Sequence, residues 1–402
     1  MSEKLQMQVL NKRVRNGLFV LGLLFIIIGQ LISEARFWQG FLLTSFFFLS
    51  IALGALVFIS IHHISNAGWP AAIRRIPEAV ASYIPFAGAA MLMLYWGRKT
   101  VYQWTHAEVV TANPLLQLKS AFLNTPFFFA RMIIILLIWS ILSYLILRES
   151  HEQDKDGALL HTERAKKYSA IFLVVFAITF SLASFDWLMS IEPEFYSTIY
   201  AFYCIAGLLE SGIAAIALLT ILLHKRGLLT FVSDQHLLNL GKLLFGFSTF
   251  WAYIWLSQYL LIYYANIPEE TVYYFKRTAT VGWTAIFIAN LGLNWLIPFI
   301  LLLTRRAKQN KQWLATASVI ALIGHWTDLY TLIFPAYQAS ARVGYSEIGL
   351  LIVFAIIFLL LFMRRLAQWP LLPARDPYLA ESLHLVKHEN KTTSISNLAT
   401  GR

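Results

Sequence analysis

Cysteine is almost missing from this sequence: its 402 residues include one, Cys204. A disulfide needs two cysteines, an iron–sulfur cluster about four, and covalent haem a C-x-x-C-H run that does not occur. No redox centre is therefore held by sulfur from this chain, and one cysteine does not identify a compartment. Charge is scarce as well, at 13% Asp, Glu, Lys and Arg where a soluble domain carries about a quarter, while 58% of the residues are hydrophobic. That composition excludes a soluble enzyme. It also removes the nucleic-acid reading of the +11 net charge, because Lys and Arg gather in the cytoplasmic loops of membrane proteins whatever their function. A small-residue cleavage site is lacking after the basic stretch Met1 to Arg15, so the first apolar segment reads as a retained helix.

What is abundant is long apolar runs. Ten of them reach the roughly 20 residues that cross hydrocarbon, at about 16–35, 40–63, 79–97, 125–148, 168–190, 195–223, 236–265, 280–304, 313–334 and 346–363. The stretch Lys99 to Asn124 is amphiphilic and is expected to lie at the interface. With these spans, 23 of the 32 Lys and Arg fall on one side and 7 on the other, leaving Arg131 and Lys242 inside helices. The bias predicts an even number of spans and cytoplasmic termini, with residues 364–402 as a tail.

An internal echo suggests the architecture. The fifth span ends Asp186-Trp-Leu-Met-Ser-Ile-Glu-Pro193 and the ninth ends Asp328-Leu-Tyr-Thr-Leu-Ile-Phe-Pro335, with Asp, Ile and Pro in register. Four spans separate them, so they share an orientation, as two parallel four-helix repeats would require. The expected fold is all-α and membrane-integral, with bundles from spans two to five and six to nine and peripheral spans one and ten. The corresponding segments are 1–39, 40–194, 195–340 and 341–402.

An ionisable group deep in a span costs several kcal/mol unless it faces protein or water. Glu210 sits near the middle of the sixth span, with Tyr203 seven residues earlier on the same face. On the seventh, Lys242, Thr249, Tyr253, Ser257 and Tyr264 share a sector of about 80° and form either a ladder of exchangeable protons or a hydroxyl-rich helix contact. His325 and Asp328 share a face of the ninth span, where they can exchange a proton or simply hydrogen-bond. Asp186 holds the matching place on the fifth, with Arg131 as its candidate counter-ion. His62 and His63 read as interfacial. Only His325 lies deep, so facing axial ligands for haem are not evident, and no metal set emerges.

Longer strings then carry a resemblance. Asp186 to Pro193 followed by Tyr196-Ser-Thr-Ile-Tyr200, Gln258 to Thr271, Asn113-Pro-Leu-Leu116, Asn124-Thr-Pro-Phe-Phe128 and Asp376 to Leu383 resemble the NrfD-like membrane subunits of Alternative Complex III, in the shorter, ActF-type form. The resemblance implies a subunit of a respiratory quinol:cytochrome c oxidoreductase in the bacterial inner membrane. It implies partners that bring haem c and iron–sulfur clusters: an iron–sulfur subunit, c-type cytochromes, a sister NrfD-like chain and small membrane subunits. It leaves open menaquinone or another quinone, in reduced form the electron donor, as a cofactor that this chain can contact. For the chain itself it implies a non-redox part in proton conduction, for which the residues read from the spans, Glu210, Lys242, Thr249, Tyr253, Tyr264, His325, Asp328, Asp186 and Arg131, are the candidates. A self-sufficient secondary transporter and a structural scaffold remain open as alternatives.

Overall fold

The computed structural model describes residues 12–373 and 375–383. The expectations for residues 1–11 and for the polar end of the tail, 384–402, fall outside the described residues. Every regular element among those described is helical: α1 Lys12–Ile32, α2 Glu34–Ile64, α3 Arg75–Ala81, α4 Ile84–Leu92, α5 Leu94–Val101, α6 Ala107–Ala112, α7 Pro114–Lys119, α8 Thr125–Asp156, α9 Leu159–Trp187, α10 Tyr200–Lys225, α11 Asp234–Ala265, α12 Pro268–Thr278, α13 Val281–Leu291, α14 Ile297–Leu301, α15 Arg305–Gln309, α16 Lys311–Ile333 and α17 Tyr345–Leu366. Nine described helical spans are long and apolar enough to cross a bilayer. The third expected span is the exception: α3–α4 and α5 qualify only together and are bent by 55° at the break after Leu92.

Two closed rings emerge from the packing. α2, α3–α5, α8 and α9 surround one core, and α10, α11, α13–α14 and α16 surround the other. The hinge between them is α2 against α10. Every residue of α2 from Gln39 to Ser60 is buried, which suits a helix apolar on all faces. Gly54 and Gly212 make the close crossing possible: a Cβ on Gly212 would stand 2.7 Å from the Gly54 Cα, so neither position has room for a side chain. α1 packs chiefly on α17 and lies outside both rings, burying only Gly22 and Gly29. The sequence expectation of peripheral first and last spans agrees with this.

Turn chemistry sets the helix ends. Asn124 caps α8 by accepting from the Phe127 amide, and Gly157 at φ +75° lets the chain reverse into α9. Both echo motifs close the same way, with 3₁₀ turns at Met189–Ile191 and Phe334–Ala336. The segment between α5 and α8 is short helices with no buried stripe, as expected of an interfacial stretch.

At the end carrying most of the basic loops, the string Asp376 to Leu383 folds back onto the bundle. Asp376 pairs with Arg74. The fully buried Ser382 hydroxyl accepts from the Ala72 amide (3.1 Å), donates to the Trp69 carbonyl (2.7 Å) and lies 3.0 Å from His236 Nε2 at the start of α11. This part of the tail is therefore docked, tying the first ring to the second.

Candidate functional site

The second ring converges on one carboxylate. Asp328 on α16 is buried and accepts hydrogen bonds from one side chain of each other helix in its ring: Tyr203 Oη of α10, Trp251 Nε1 of α11 at 3.2 Å, and Asn290 Nδ2 of α13 at 2.8 Å. Asn290 is held in turn by Asn294, whose Nδ2 donates to Asn290 Oδ1 at 2.6 Å. Gly292–Leu296 winds as a π-helix, which brings Asn294 inward alongside Asn290; such turns are frequent at functional sites. Among the described residues Asp328 has no ion-pair partner. Three hydrogen bonds to a charged acceptor, about 1.5–3 kcal/mol each, match in size the several kcal/mol that burying a carboxylate costs.

One turn away, His325 Nε2 lies 2.8 Å from Ser50 Oγ on α2. Ser50 has a single hydroxyl hydrogen and donates it to the Phe47 carbonyl (2.8 Å), so the imidazole must donate through Nε2–H and present Nδ1 as a bare acceptor. Nδ1 meets no hydrogen-bond partner among the described residues. It faces Gly207, where a Cβ would stand 2.9 Å away, so only glycine admits the ring this close to α10. Glu210 follows three residues later on α10, fully buried, and neither of its oxygens finds a hydrogen-bond partner among the described residues. A carboxyl so placed needs either a proton or water. Gly207 thus brings His325 and Asp328 of α16 against α10, and Glu210 lies one turn further along α10.

The matching carboxylate of the first ring is treated in the opposite way. Arg131 clamps Asp186 with Nε at 2.7 Å and Nη2 at 3.0 Å, and its guanidinium sits 3.8 Å from the Phe122 ring and 4.2 Å from the Phe127 ring. A bidentate, aromatic-flanked pair fixes the position and orientation of the carboxyl group. The counter-ion expected from the sequence is thus in place. Outside the spans, buried Arg277 of α12 donates to the Thr331 and Leu332 carbonyls that end α16 and to Glu192 (3.0 Å), and Lys276 reaches Glu192 at 2.8 Å.

Burial would raise the Glu192 carboxyl, but Arg277 and Lys276 outweigh it and hold its pKa below the ordinary value of 4.5. A depressed folded-state pKa stabilises above the unfolded value and loses that contribution as pH falls through the folded one. Acidification below about pH 4.5 is expected to loosen α12, seen as faster amide exchange over 268–278; Glu192→Gln should abolish the pH dependence there.

The α11 ladder is the expectation the structure does not draw into this site. Lys242, Thr249, Tyr253 and Tyr264 share a face as their spacing requires, yet that face points outward: Tyr253 is 66% and Tyr264 80% exposed. Thr249 and Ser257 return their hydroxyls to the Phe245 and Tyr253 carbonyls of their own helix. The inward face of α11 carries Ser248, Trp251 and Gln258 instead. Of the other expected residues, His63 is buried against Ser169 Oγ (3.0 Å) and His62 bonds the Phe58 carbonyl (2.7 Å), both at the basic end. Asn290, Asn294, Trp251 and Ser50 escaped the sequence reading. An amide pair four residues apart inside an apolar span was the available signal.

The sequence matches the family described as polysulphide reductase, NrfD, over residues 29–341. The chain belongs to the NrfD family. The match covers both rings and stops just before α17, so the Asp328 site lies within the NrfD region. No curated protein matches the chain. NrfD proteins work as membrane subunits beside iron–sulfur and other chains and are related to quinone binding. Among the described residues, no group of three or more His, Cys, Asp or Glu is placed to hold a metal. For a quinone ring, the groove of about 520 Å³ where α11 meets α12 is suitable, with Tyr259, Tyr263, Tyr264 and Tyr274 offering aromatic faces and hydroxyl donors and Asn266 an amide.

Proposed function

We propose that this chain is the non-redox, proton-handling NrfD-like subunit of a respiratory quinol:electron-acceptor oxidoreductase, of the ActF type in Alternative Complex III. The observation that carries the proposal is Asp328, a buried carboxylate without a cation, held only by neutral donors from three other helices. Asp328 takes and returns the proton, Tyr203 and Asn290 hold its oxygens, and Glu210 with His325 Nδ1 extends the exchangeable groups along α10. Asp186 with Arg131 anchors the first ring. The exposed Lys242-to-Tyr264 face of α11 suits a neighbouring subunit, which would complete any path through it. Quinone, when bound, supplies the two-electron, two-proton chemistry; this chain contributes aromatic faces and donors at the α11–α12 groove. The partners follow from the resemblance: an iron–sulfur subunit, c-type cytochromes, a sister NrfD-like chain and small membrane subunits. The 23-to-7 charge bias supports placing the basic end, with both termini, in the cytoplasm of a bacterial inner membrane.

A secondary transporter is the second reading, favoured by the 55° break in the third span. Purification of the native assembly separates the two. Co-migrating iron–sulfur and cytochrome chains are expected; a chain that purifies alone and carries substrate supports the transporter. Reporter fusions within Asp154–Glu163 should report cytoplasm and fusions within Glu269–Lys276 the opposite side; a reversed pattern overturns the orientation.

A further inference from the structure

A separate cleft of about 300 Å³ lies at the basic end, where α17 meets α8 and the α3–α4 junction of the first ring. Its walls come from three spans. α17 supplies Leu361, Arg364 and Arg365 and the turn after it Gln368, while α8 supplies Ser140, Ser143, Tyr144 and Leu147, spaced i, i+3, i+4, i+7 and hence on one helix face. Ser82 and Pro85 close the third side. No lining residue is acidic. From the basic end inward, α17 presents Arg365 and Arg364 and then Leu361, while α8 presents Leu147, Tyr144, Ser143 and then Ser140, so the arginines stand at the mouth and the serine hydroxyls lie deeper, beside Leu361 and Pro85.

The arginines are not consumed by the protein. Arg365 spends Nη1 on Gln368 (2.9 Å), while its buried Nε meets no hydrogen-bond partner among the described residues. The carboxylate it would otherwise take, Glu78, is already engaged by Arg75 at 2.6 Å and by Ser150. Arg364 is exposed on the same face. A buried, charged N–H without an acceptor is unfavourable, and an anionic acceptor from outside would satisfy it.

We propose that this cleft binds the phosphate of an anionic phospholipid from the leaflet at the basic end through Arg364 and Arg365, with an acyl chain passing inward against Leu361 and Pro85. Charge complementarity and depth favour a lipid over a soluble anion: a basic pocket between spans at headgroup level meets lipid phosphate first, and the Leu361 and Pro85 side chains have no use for inorganic phosphate. The Ser143 and Tyr144 hydroxyls then serve as donors to the headgroup esters or glycerol.

The test uses the assembled complex. After detergent exchange, wild type is reconstituted into nanodiscs of phosphatidylcholine containing a few per cent phosphatidylglycerol, re-extracted, and its retained lipid counted by native mass spectrometry. One phosphatidylglycerol per copy of this chain is expected to survive. Arg364→Gln with Arg365→Gln should lower its retention roughly 30-fold, at about fivefold per arginine. Ser143→Phe, which fills the cleft without touching charge, should do the same. Where the arginine variant fails to assemble, the Ser143 variant decides. Equal retention of phosphatidylcholine, displacement of the bound lipid by millimolar inorganic phosphate, or unchanged retention in an assembled variant overturns the proposal.

Discussion

Asp328→Asn in the assembled complex is expected to slow turnover against a membrane potential by roughly 100-fold, the low end of what a positioned acid–base group contributes. The amide preserves size, and with its oxygen toward Tyr203 and Asn290 it keeps two of the three hydrogen bonds; what it removes is the acceptor for Trp251 Nε1–H, the proton and the charge. Glu210→Gln should act in the same direction. It has no protein partner to lose among the described residues, so a purely structural carboxyl at that place predicts no defect. Tyr203→Phe removes one donor and leaves the acid, so its effect should be smaller than that of Asp328→Asn. Redox turnover without a potential, together with cofactor content, is the control in each case. If both amide variants pump at the wild-type rate in proteoliposomes, the carboxyls are structural.

Arg131→Gln should damage the fold more than any single change at the Asp328 site. It strands Asp186, whose side chain is 1% exposed, as a buried carboxylate without its cation, and breaking such a pair costs about 3–5 kcal/mol. It also removes the guanidinium lying over Phe122 and Phe127. The double variant Arg131→Gln with Asp186→Asn removes both charges and should recover most of that loss, because desolvation of the lone carboxylate is the dominant cost. Thermal unfolding of the purified complex and its yield read this directly. A double variant as unstable as the single one would show that aromatic packing around Arg131 matters more than the charge.

The contrast between the two aspartates also shows how far sequence carries. Helix number, the repeat and the deep ionisable groups are legible because hydrocarbon penalises each departure, so a charge at mid-span must have a place inside. Asp186, Glu210, His325 and Asp328 were visible for that reason. Periodicity shows only that residues share a face, never which way the face turns. On α11 both faces carry polar groups, and Trp251 with Gln258, not Tyr253 with Tyr264, turned out to face in. Neutral amides were overlooked because a search confined to ionisable side chains passes over Asn290 and Asn294. The π turn that places them follows from packing around Gly292–Leu296. The break after Leu92 was hidden for a related reason: α4 and α5 join into one apolar stretch, and hydropathy carries no mark of the 55° bend between them.

Whether Asp328 changes protonation during turnover can be observed directly. Infrared difference spectra of the complex, oxidised minus reduced, report the carbonyl stretch of a carboxyl that gains or loses its proton. The account predicts a carboxyl band that disappears in Asp328→Asn, shifts in Tyr203→Phe, where one donor is gone, and is unchanged in Asp186→Asn with Arg131→Gln, where the carboxyl was held by its arginine. A spectrum identical in wild type and Asp328→Asn would contradict it.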